Sequence, residues 1–363
     1  MVKGDRSVTA LAKTTRPTIG SVLEREALLT RLDEPAGRTV MWISGPPGSG
    51  RTTLAADYER ARRLQSVWYQ IDADDADPAT FFHYLSHAVR KLGAARDDVA
   101  SFSRKFFRQL FAGGTESLAL VLDNMHAVPP DSALHAALEA GFSQVPKSCC
   151  VIVTSRSEPP ASLARLRAAG QLTCMTGQDL RIGPDEIVVI ARLRGQIVSP
   201  QAAAKLYERT QGWAAGLVLM LEHSKFSGRM AELPSDTTPQ VIFDYLAGEI
   251  FDRFEAHTRE FLLRIACLPR MTAAVAATLT REPKAERLLI NLALNDYFVR
   301  EVSSDAGRVY QLHPLLREFL KNRAAQALPE AVAAGSRPDR RRRRAARRRR
   351  QLGRDRENRT GRG

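Results

Sequence analysis

Over 363 residues, 44% of them hydrophobic, the chain has room for two or three compact domains with their own cores, which excludes a disordered polypeptide. Its formal charge of +14 is concentrated at the end: from Arg337 onward there are 14 Arg against Asp339, Asp355 and Glu357, so residues 1–336 are nearly balanced and show no dedicated nucleic-acid surface. Residues 1–16 lack the apolar core of a signal peptide, and the longest apolar stretches, such as 214–221, fall far short of a bilayer span, so a cytoplasmic protein without a membrane partner is expected.

In chain order, a polar and flexible N-terminus (1–15) leads into short apolar, mostly β-branched or aromatic runs at 39–43, 67–71, 118–122 and 149–153. Helix-patterned segments separate them, which predicts strand–helix alternation around a parallel sheet, with a further edge strand at 171–175 and 179–182. Cys149, Cys150, Cys174 and Cys267 form no CxxC pair and read as small hydrophobes in a reducing compartment. From Pro184 the texture becomes helical, over 185–195 and 199–225, with Thr210, Gly212 and Gly216 as punctuation and a linker at 234–239. Helices follow at 240–253, 257–268, 272–280 and 284–295, then two strands at 297–302 and 308–312. Pro314 launches a last helix towards Leu328, a winged-helix pattern. The Arg-rich tail has almost no aliphatic residues and is expected not to fold. It is either a frame-shifted end or a nonspecific nucleic-acid-binding arm.

The chemistry is concentrated in three places. Gly45-Pro46-Pro47-Gly48-Ser49-Gly50-Arg51-Thr52-Thr53 directly follows a predicted strand and opens a predicted helix. In that context glycines let main-chain N–H groups curl round a phosphate, the helix N-terminus favours the anion, and Thr52 is placed to ligate Mg²⁺. Arg51 stands where the pattern has Lys. Its planar fork does not act as a point charge between β- and γ-oxygens, so binding is expected to survive and catalysis to suffer. The second place is the strand 118–122, which ends in Asp123, a carboxylate suited to Mg²⁺ opposite Thr52. Asn124 follows it, where many hydrolysing relatives carry a second acid, and it orients water without accepting its proton. In the third, the strand 151–153 ends in Thr154, Ser155 and Arg156, of which Thr154 or Arg156 is suited to contact a γ-phosphate. His83 and His87, four apart on the predicted helix 78–92, lack a third ligand. The stripe Phe102, Phe106, Phe107, Leu110 and Phe111 reads as a core face.

These motifs, in this order, resemble the STAND class of signalling ATPases, specifically the nucleotide-binding, helical and winged-helix portion of MalT-like regulators of the LuxR family. Arg16-Pro17, Val67-Trp-Tyr-Gln-Ile-Asp72, Thr210-Gln-Gly-Trp213-Ala-Ala-Gly-Leu217 and Leu312-His313-Pro314-Leu-Leu-Arg-Glu-Phe-Leu320 carry the likeness, over roughly 16–328. The resemblance implies an α/β P-loop NTPase sheet of ASCE-type order 5-1-4-3-2 at 16–182. It implies a helical domain at 183–236, a winged-helix domain at 237–329 and an Arg-rich tail at 330–363. It also implies ATP/ADP and Mg²⁺ as cofactors, ADP held in a closed resting form, and ATP favoured when a small-molecule inducer or regulatory protein binds, with ATP-dependent self-association. Position by position, Arg16 and Pro17 border the adenine and ribose, Gly45 to Thr53 hold phosphates, and Asp123 holds the metal. Arg156 takes the γ-phosphate, and His313 the β-phosphate of ADP. Such proteins usually continue into a helical-repeat domain and a helix-turn-helix, which the 35 residues after Leu328 do not supply. Three functions are therefore expected in competition: a nucleotide-gated transcriptional switch with weak ATPase activity, a non-catalytic ADP scaffold or truncated regulator, and a nucleic-acid binder acting through its tail.

Overall fold

The computed structural model describes residues 12–17, 20, 22–33, 39–89, 98–112, 118–226, 238–295, 297–304 and 307–327. The Arg-rich tail, and with it the expected nucleic-acid arm, lies outside the described residues, as do residues 1–11 and most of the expected linker.

The first part alternates helices and strands: α1 (Glu26–Asp33), β1 (Val40–Ser44), α2 (Arg51–Ala61), β2 (Gln65–Gln70), α3 (Pro78–Val89), α4 (Val99–Ala112), β3 (Leu118–Asp123), α5 (Ala133–Phe142), β4 (Cys150–Ser155), α6 (Ala164–Ala168) and β5 (Leu172–Met175). The five strands form one parallel sheet in the order β2-β3-β4-β1-β5, which is the expected 5-1-4-3-2 order read from the other edge. Every residue of β1 and β4 is buried. Helices cover both faces, which is why these strands read as unbroken apolar runs and not as alternating ones. Leu29, Ile43, Val121 and Ile152 pack on one face, and Trp42, Leu120, Val151 and the α4 aromatics on the other. Phe106 lies 5.1 Å from Phe82 and Phe107 5.6 Å from Phe142, so the aromatic stripe of α4 is a core face, as its spacing indicated. The registers Ser44↔Ser155 and Leu122↔Val153 bring the C-terminal ends of β1, β3 and β4 level with one another, the edge at which open α/β sheets bind ligands.

Beyond Pro184 come α7 (Pro184–Leu193), α8 (Pro200–Thr210), α9 (Ala214–Phe226), α10 (Gln240–Glu249), α11 (Ala256–Ile265), β6 (Arg270–Met271), α12 (Ala273–Thr280), α13 (Ala285–Leu294), β7 (Val299–Ser304), β8 (Gly307–Leu312) and α14 (Pro314–Ala327). The β7–β8 hairpin pairs Val299 with Leu312 and Val302 with Val309, and β6 joins its other side in a small antiparallel sheet. Three helices, this sheet and α14 make the expected winged helix. One hydrophobic cluster runs from Ile187 and Leu206 through Leu217 and Leu246 to Leu316 and Leu320, so it crosses the division expected near residue 236.

Two local expectations are corrected and a third is sharpened. Residues 179–182 are not a strand: the Asp179 carboxylate accepts from the Thr176 amide (2.8 Å) and hydroxyl (2.9 Å), closing a turn that competes with ladder pairing. The helical run over 199–225 divides where its punctuation at Thr210 and Gly212 indicated, because Gln211 (φ 49°) and Gly212 (φ 75°) end α8 in left-handed conformations. The helix begun at Gln240 stops at Glu249, and residues 251–253 form a separate 3₁₀ turn. Cys149 and Cys150 are buried, Cys267 is exposed and Cys174 is half-buried, and none of the four is in a disulfide. His83 is exposed against Tyr84, while the His87 side chain lies outside the described residues.

Candidate functional site

The loop after β1 is built on two left-handed glycines, Gly48 (φ 71°) and Gly50 (φ 93°). Gly45 continues the sheet, its amide donating to Ser155 O at 3.2 Å, and the chain then curls back so that the Ser49 amide reaches Pro46 O at 3.2 Å. Gly50 occupies the position before α2 and supplies no side-chain cap. The first-turn amides of this 11-residue helix, from Arg51 to Thr53, therefore open into the loop without an intrahelical acceptor. The Ser49 hydroxyl beside them is buried and has no hydrogen-bond partner. An uncapped helix start and an orphaned buried hydroxyl are what a bound phosphate satisfies.

Arg51 behaves unlike the lysine of the pattern. Its guanidinium turns beneath the loop and donates to Gly45 O and to Ser155 O (2.8 Å), tying the ends of β1 and β4 together. In this arrangement it braces the cradle, a role its five fixed donors suit and a lysine's ammonium does not.

Asp123, buried at the end of β3, is the focus of the site. The Thr52 hydroxyl donates to its Oδ1 at 3.0 Å, and the Thr154 hydroxyl, from the end of β4, donates to the same oxygen. The Asn124 amide in turn donates to Thr154 Oγ1 at 3.2 Å. Sequence left Thr154 and Arg156 open as phosphate contacts. The structure gives Thr154 the task of orienting Asp123, while Arg156 turns towards α10, 3.7 Å from Glu249. Asn124 adopts φ 67°, a left-handed conformation that asparagine tolerates better than glutamate. The backbone there therefore disfavours a glutamate but not an aspartate, which tolerates the same conformation.

Two cavities flank the loop. One, of about 810 Å³ including its open mouth, is walled by Leu23, Leu54, Ile190, Leu193 and Val218 and reaches Ser49, Gly50 and Thr53. Its apolar lining, ending at the phosphate loop, has the character of a site for a flat heterocycle. Arg25 closes one side through Glu186 (2.7 Å) and the carbonyls of Leu180 and Arg181 (2.9 and 2.7 Å). Arg16 is not brought here: it lies against the flank of α2, bonded to Ala56 O (3.3 Å) and 3.4 Å from Glu59. Neither it nor Pro17 lines the cavity. Ile190 and Leu193 went unnoticed in the sequence because an apolar residue facing a ligand carries the same helical spacing as one facing a core, and Leu23 and Arg25 because they lie in the irregular segment before α1, which carries no periodicity.

The second cavity, of about 630 Å³ including its mouth, lies between Pro46 and Ser49 on one side and Trp213, Arg300 and His313 on the other. His313 therefore borders the phosphate loop, but both ring nitrogens are engaged. Nδ1 accepts from the Leu315 amide (3.3 Å), so Nε2 carries the proton and donates to Thr210 O (2.8 Å). Burial pushes the His313 pKa down to about 4, with the bond to Thr210 opposing and the Arg181 and Arg300 charges adding to the fall. An unfolded histidine titrates near 6.5, so below that pH the unfolded chain takes up a proton that the folded one refuses. Stability therefore falls as pH drops from about 6.5 towards 4. The ring keeps some accessible surface along the cavity, so the loss expected from His313 is on the order of 1–2 kcal/mol. Urea unfolding at about pH 7 and about pH 4.5 checks it: His313→Gln loses less stability between the two than the unaltered chain.

Comparisons with known proteins agree with this architecture. A family model described as the MalT winged helix domain matches residues 247–332. The chain is 28% identical over 332 residues to an HTH-type transcriptional regulator MalT from Serratia proteamaculans, covering 86% of the chain and 36% of that protein. It is 29% identical over 341 residues to the MalT of Yersinia enterocolitica, covering 88% of the chain and 37% of the relative. The chain thus spans little more than a third of the length of these curated relatives. Among solved structures, a Walker-type ATPase of Pyrococcus abyssi shares the fold at a TM-score of 0.57 and 14% identity, covering 83% of this chain and 96% of that one. Over most of its length the chain is thus similar to MalT regulators, and it joins a parallel sheet with a P-loop to helices and a winged helix that resembles MalT's, as its motifs indicated.

Proposed function

We propose that this chain is the nucleotide-binding switch unit of a MalT-like transcriptional regulator, holding ADP or ATP with Mg²⁺ and hydrolysing ATP slowly. The observation that carries the reading is the convergence of the Thr52 and Thr154 hydroxyls on Asp123, at the mouth of an uncapped phosphate-loop helix. The residues present fit the ligand. The first-turn amides of α2 and the Ser49 hydroxyl would hold the phosphates, Thr52 and Asp123 the cation, and Leu23, Ile190 and Leu193 the base. Bound Mg²⁺ supplies charge neutralisation across the phosphate oxygens. Slow turnover follows from two positions: Arg51 is committed to the carbonyls of Gly45 and Ser155, and Asn124 does not accept a proton from water. The commitment of Arg51 also favours a second reading, a non-catalytic ADP scaffold.

Calorimetry with ADP and ATP tests both readings. Binding of either nucleotide is expected, with affinity dependent on Mg²⁺, and Asp123→Asn abolishes that dependence and weakens Mg²⁺-nucleotide binding by about tenfold or more. No heat with either nucleotide in the unaltered chain sinks the proposal. Tight ADP retention with ATP turnover no faster than in Arg51→Ala moves the assignment to the scaffold.

A further inference from the structure

Glu249 ends α10, on the winged-helix side of the molecule, and one of its oxygens serves two arginines. Its Oε2 lies 3.7 Å from a guanidinium nitrogen of Arg156 and 2.9 Å from one of Arg253. Arg156 comes directly after β4. The register Ser44↔Ser155 places it level with Gly45, the first residue of the phosphate loop, and two positions from the Thr154 that orients Asp123. Its side chain is only 12% exposed, and its Nε is buried with no partner. Across from it, on the 3₁₀ turn Met125–Ala127 that follows Asp123 and Asn124, the Nδ1 of His126 is also buried without a partner. Burial, and then the charges of Arg156, Arg51 and Arg253, hold the His126 pKa at about 3, so the ring stays neutral and adds no cation. The end of the phosphate loop is therefore crowded by guanidinium groups, with unused buried polar atoms and a single half-exposed carboxylate from another part of the chain.

We propose that Glu249 stands in the place of a terminal phosphate on Arg156 and Arg253, and is the residue that sets the preference for a nucleoside diphosphate over a triphosphate. The proposal rests on the nucleotide reading above. A terminal phosphate carries more charge than a carboxylate and offers three acceptor oxygens, which suits two guanidinium forks, including the Nε of Arg156 that Glu249 leaves unused. The two anions repel each other, so Arg156 serves one of them at a time. A triphosphate then binds at the cost of the Arg156–Glu249 contact, which loosens the end of α10 from the sheet. By linkage, α10 in its present position weakens triphosphate binding to the same degree. A diphosphate makes no such demand.

The test measures Kd for ADP and for a non-hydrolysable ATP analogue, with Mg²⁺, in the unaltered chain, Glu249→Gln, Glu249→Ala, Arg156→Gln and the Arg156→Gln/Glu249→Gln pair. Glu249→Gln is expected to lower the ratio of triphosphate to diphosphate Kd by about tenfold, within the usual span of coupling between sites. Glu249→Ala is expected to shift it the same way, and in the Arg156→Gln background the Glu249 substitution leaves the ratio unchanged. Glu249 is half exposed, and circular dichroism checks that each variant keeps its fold. A ratio that stays put in both Glu249 variants, with ADP still bound, overturns this proposal alone. Absence of binding by the unaltered chain overturns it together with the reading on which it rests.

Discussion

Gly48→Val is expected to abolish nucleotide binding, with an affinity loss of at least about a hundredfold, and to lift the helical and winged-helix elements off the phosphate loop. Two separate effects add. Gly48 has φ 71°, where a side chain costs about 1–2 kcal/mol and a β-branched one more. A Cβ there also comes within 2.5 Å of the Ala215 Cβ, 2.8 Å of the Tyr245 hydroxyl and 3.1 Å of Trp213 Nε1. These are atoms of α9, α10 and the turn between α8 and α9, so the collision is with neighbours beyond the loop, and the Ala215 amide that donates to Gly48 O at 2.9 Å is displaced with them. Gly50→Ala separates the two effects: φ is 93°, but nothing lies within 4 Å of the new Cβ. It keeps the contacts around Trp213 and weakens nucleotide binding only through loop strain. Hydrogen exchange at residues 213–217 reads the difference, with protection lost in Gly48→Val and kept in Gly50→Ala. Equal nucleotide affinity in Gly48→Val and the unaltered chain would show that the loop does not grip phosphate.

What the amino-acid sequence disclosed here depended on whether a residue's role is local. The strands were legible because a buried parallel strand needs an unbroken apolar run, and Leu118 to Leu122 has no other use. The phosphate loop was legible because only glycine accepts the φ values that Gly48 and Gly50 adopt at so little cost. Asp123 followed from its place at a strand end. The order of the strands came from resemblance alone, since periodicity carries no information about neighbours. The fold-back of Arg51 was hidden for a different reason: a cation in that position reads as a phosphate ligand until the carbonyls of Gly45 and Ser155 are seen to claim it. Arg16 was misdirected similarly, its true partners being Ala56 O and Glu59. Glu249 gave no signal at all, because an acid near the end of an amphipathic helix is ordinarily solvated. Its meaning lies in Arg156, 93 positions earlier in the chain.

Trp213→Ala is the substitution expected to cost most stability, and it also tests whether the two halves of the molecule act on each other. The indole is buried, its Nε1 donates to Pro47 O at 2.9 Å, and its ring meets Phe298 at 4.9 Å, Tyr245 at 5.5 Å and His313 at 6.3 Å. One side chain thus joins the phosphate loop, the helical segment and the winged helix. Removing it opens a large cavity and leaves Pro47 O without its donor, a loss of about 3–5 kcal/mol. The sheet keeps its own clusters around Trp42 and Ile43, whereas the cluster from Ile187 to Leu320 loses a central member. Thermal unfolding of the variant is therefore expected to split, the helical and winged-helix part melting first. A fluorescent diphosphate should leave about tenfold faster or more, because the wall formed by Trp213 and His313 no longer backs the loop. Trp213→Phe keeps an aromatic ring in place but loses the N–H and part of the buried ring volume, so it costs about 1–3 kcal/mol, less than the alanine, and leaves melting as one transition. If Trp213→Ala melts as one transition at an unchanged temperature and releases nucleotide at the original rate, the contact between loop and winged helix does not govern nucleotide retention.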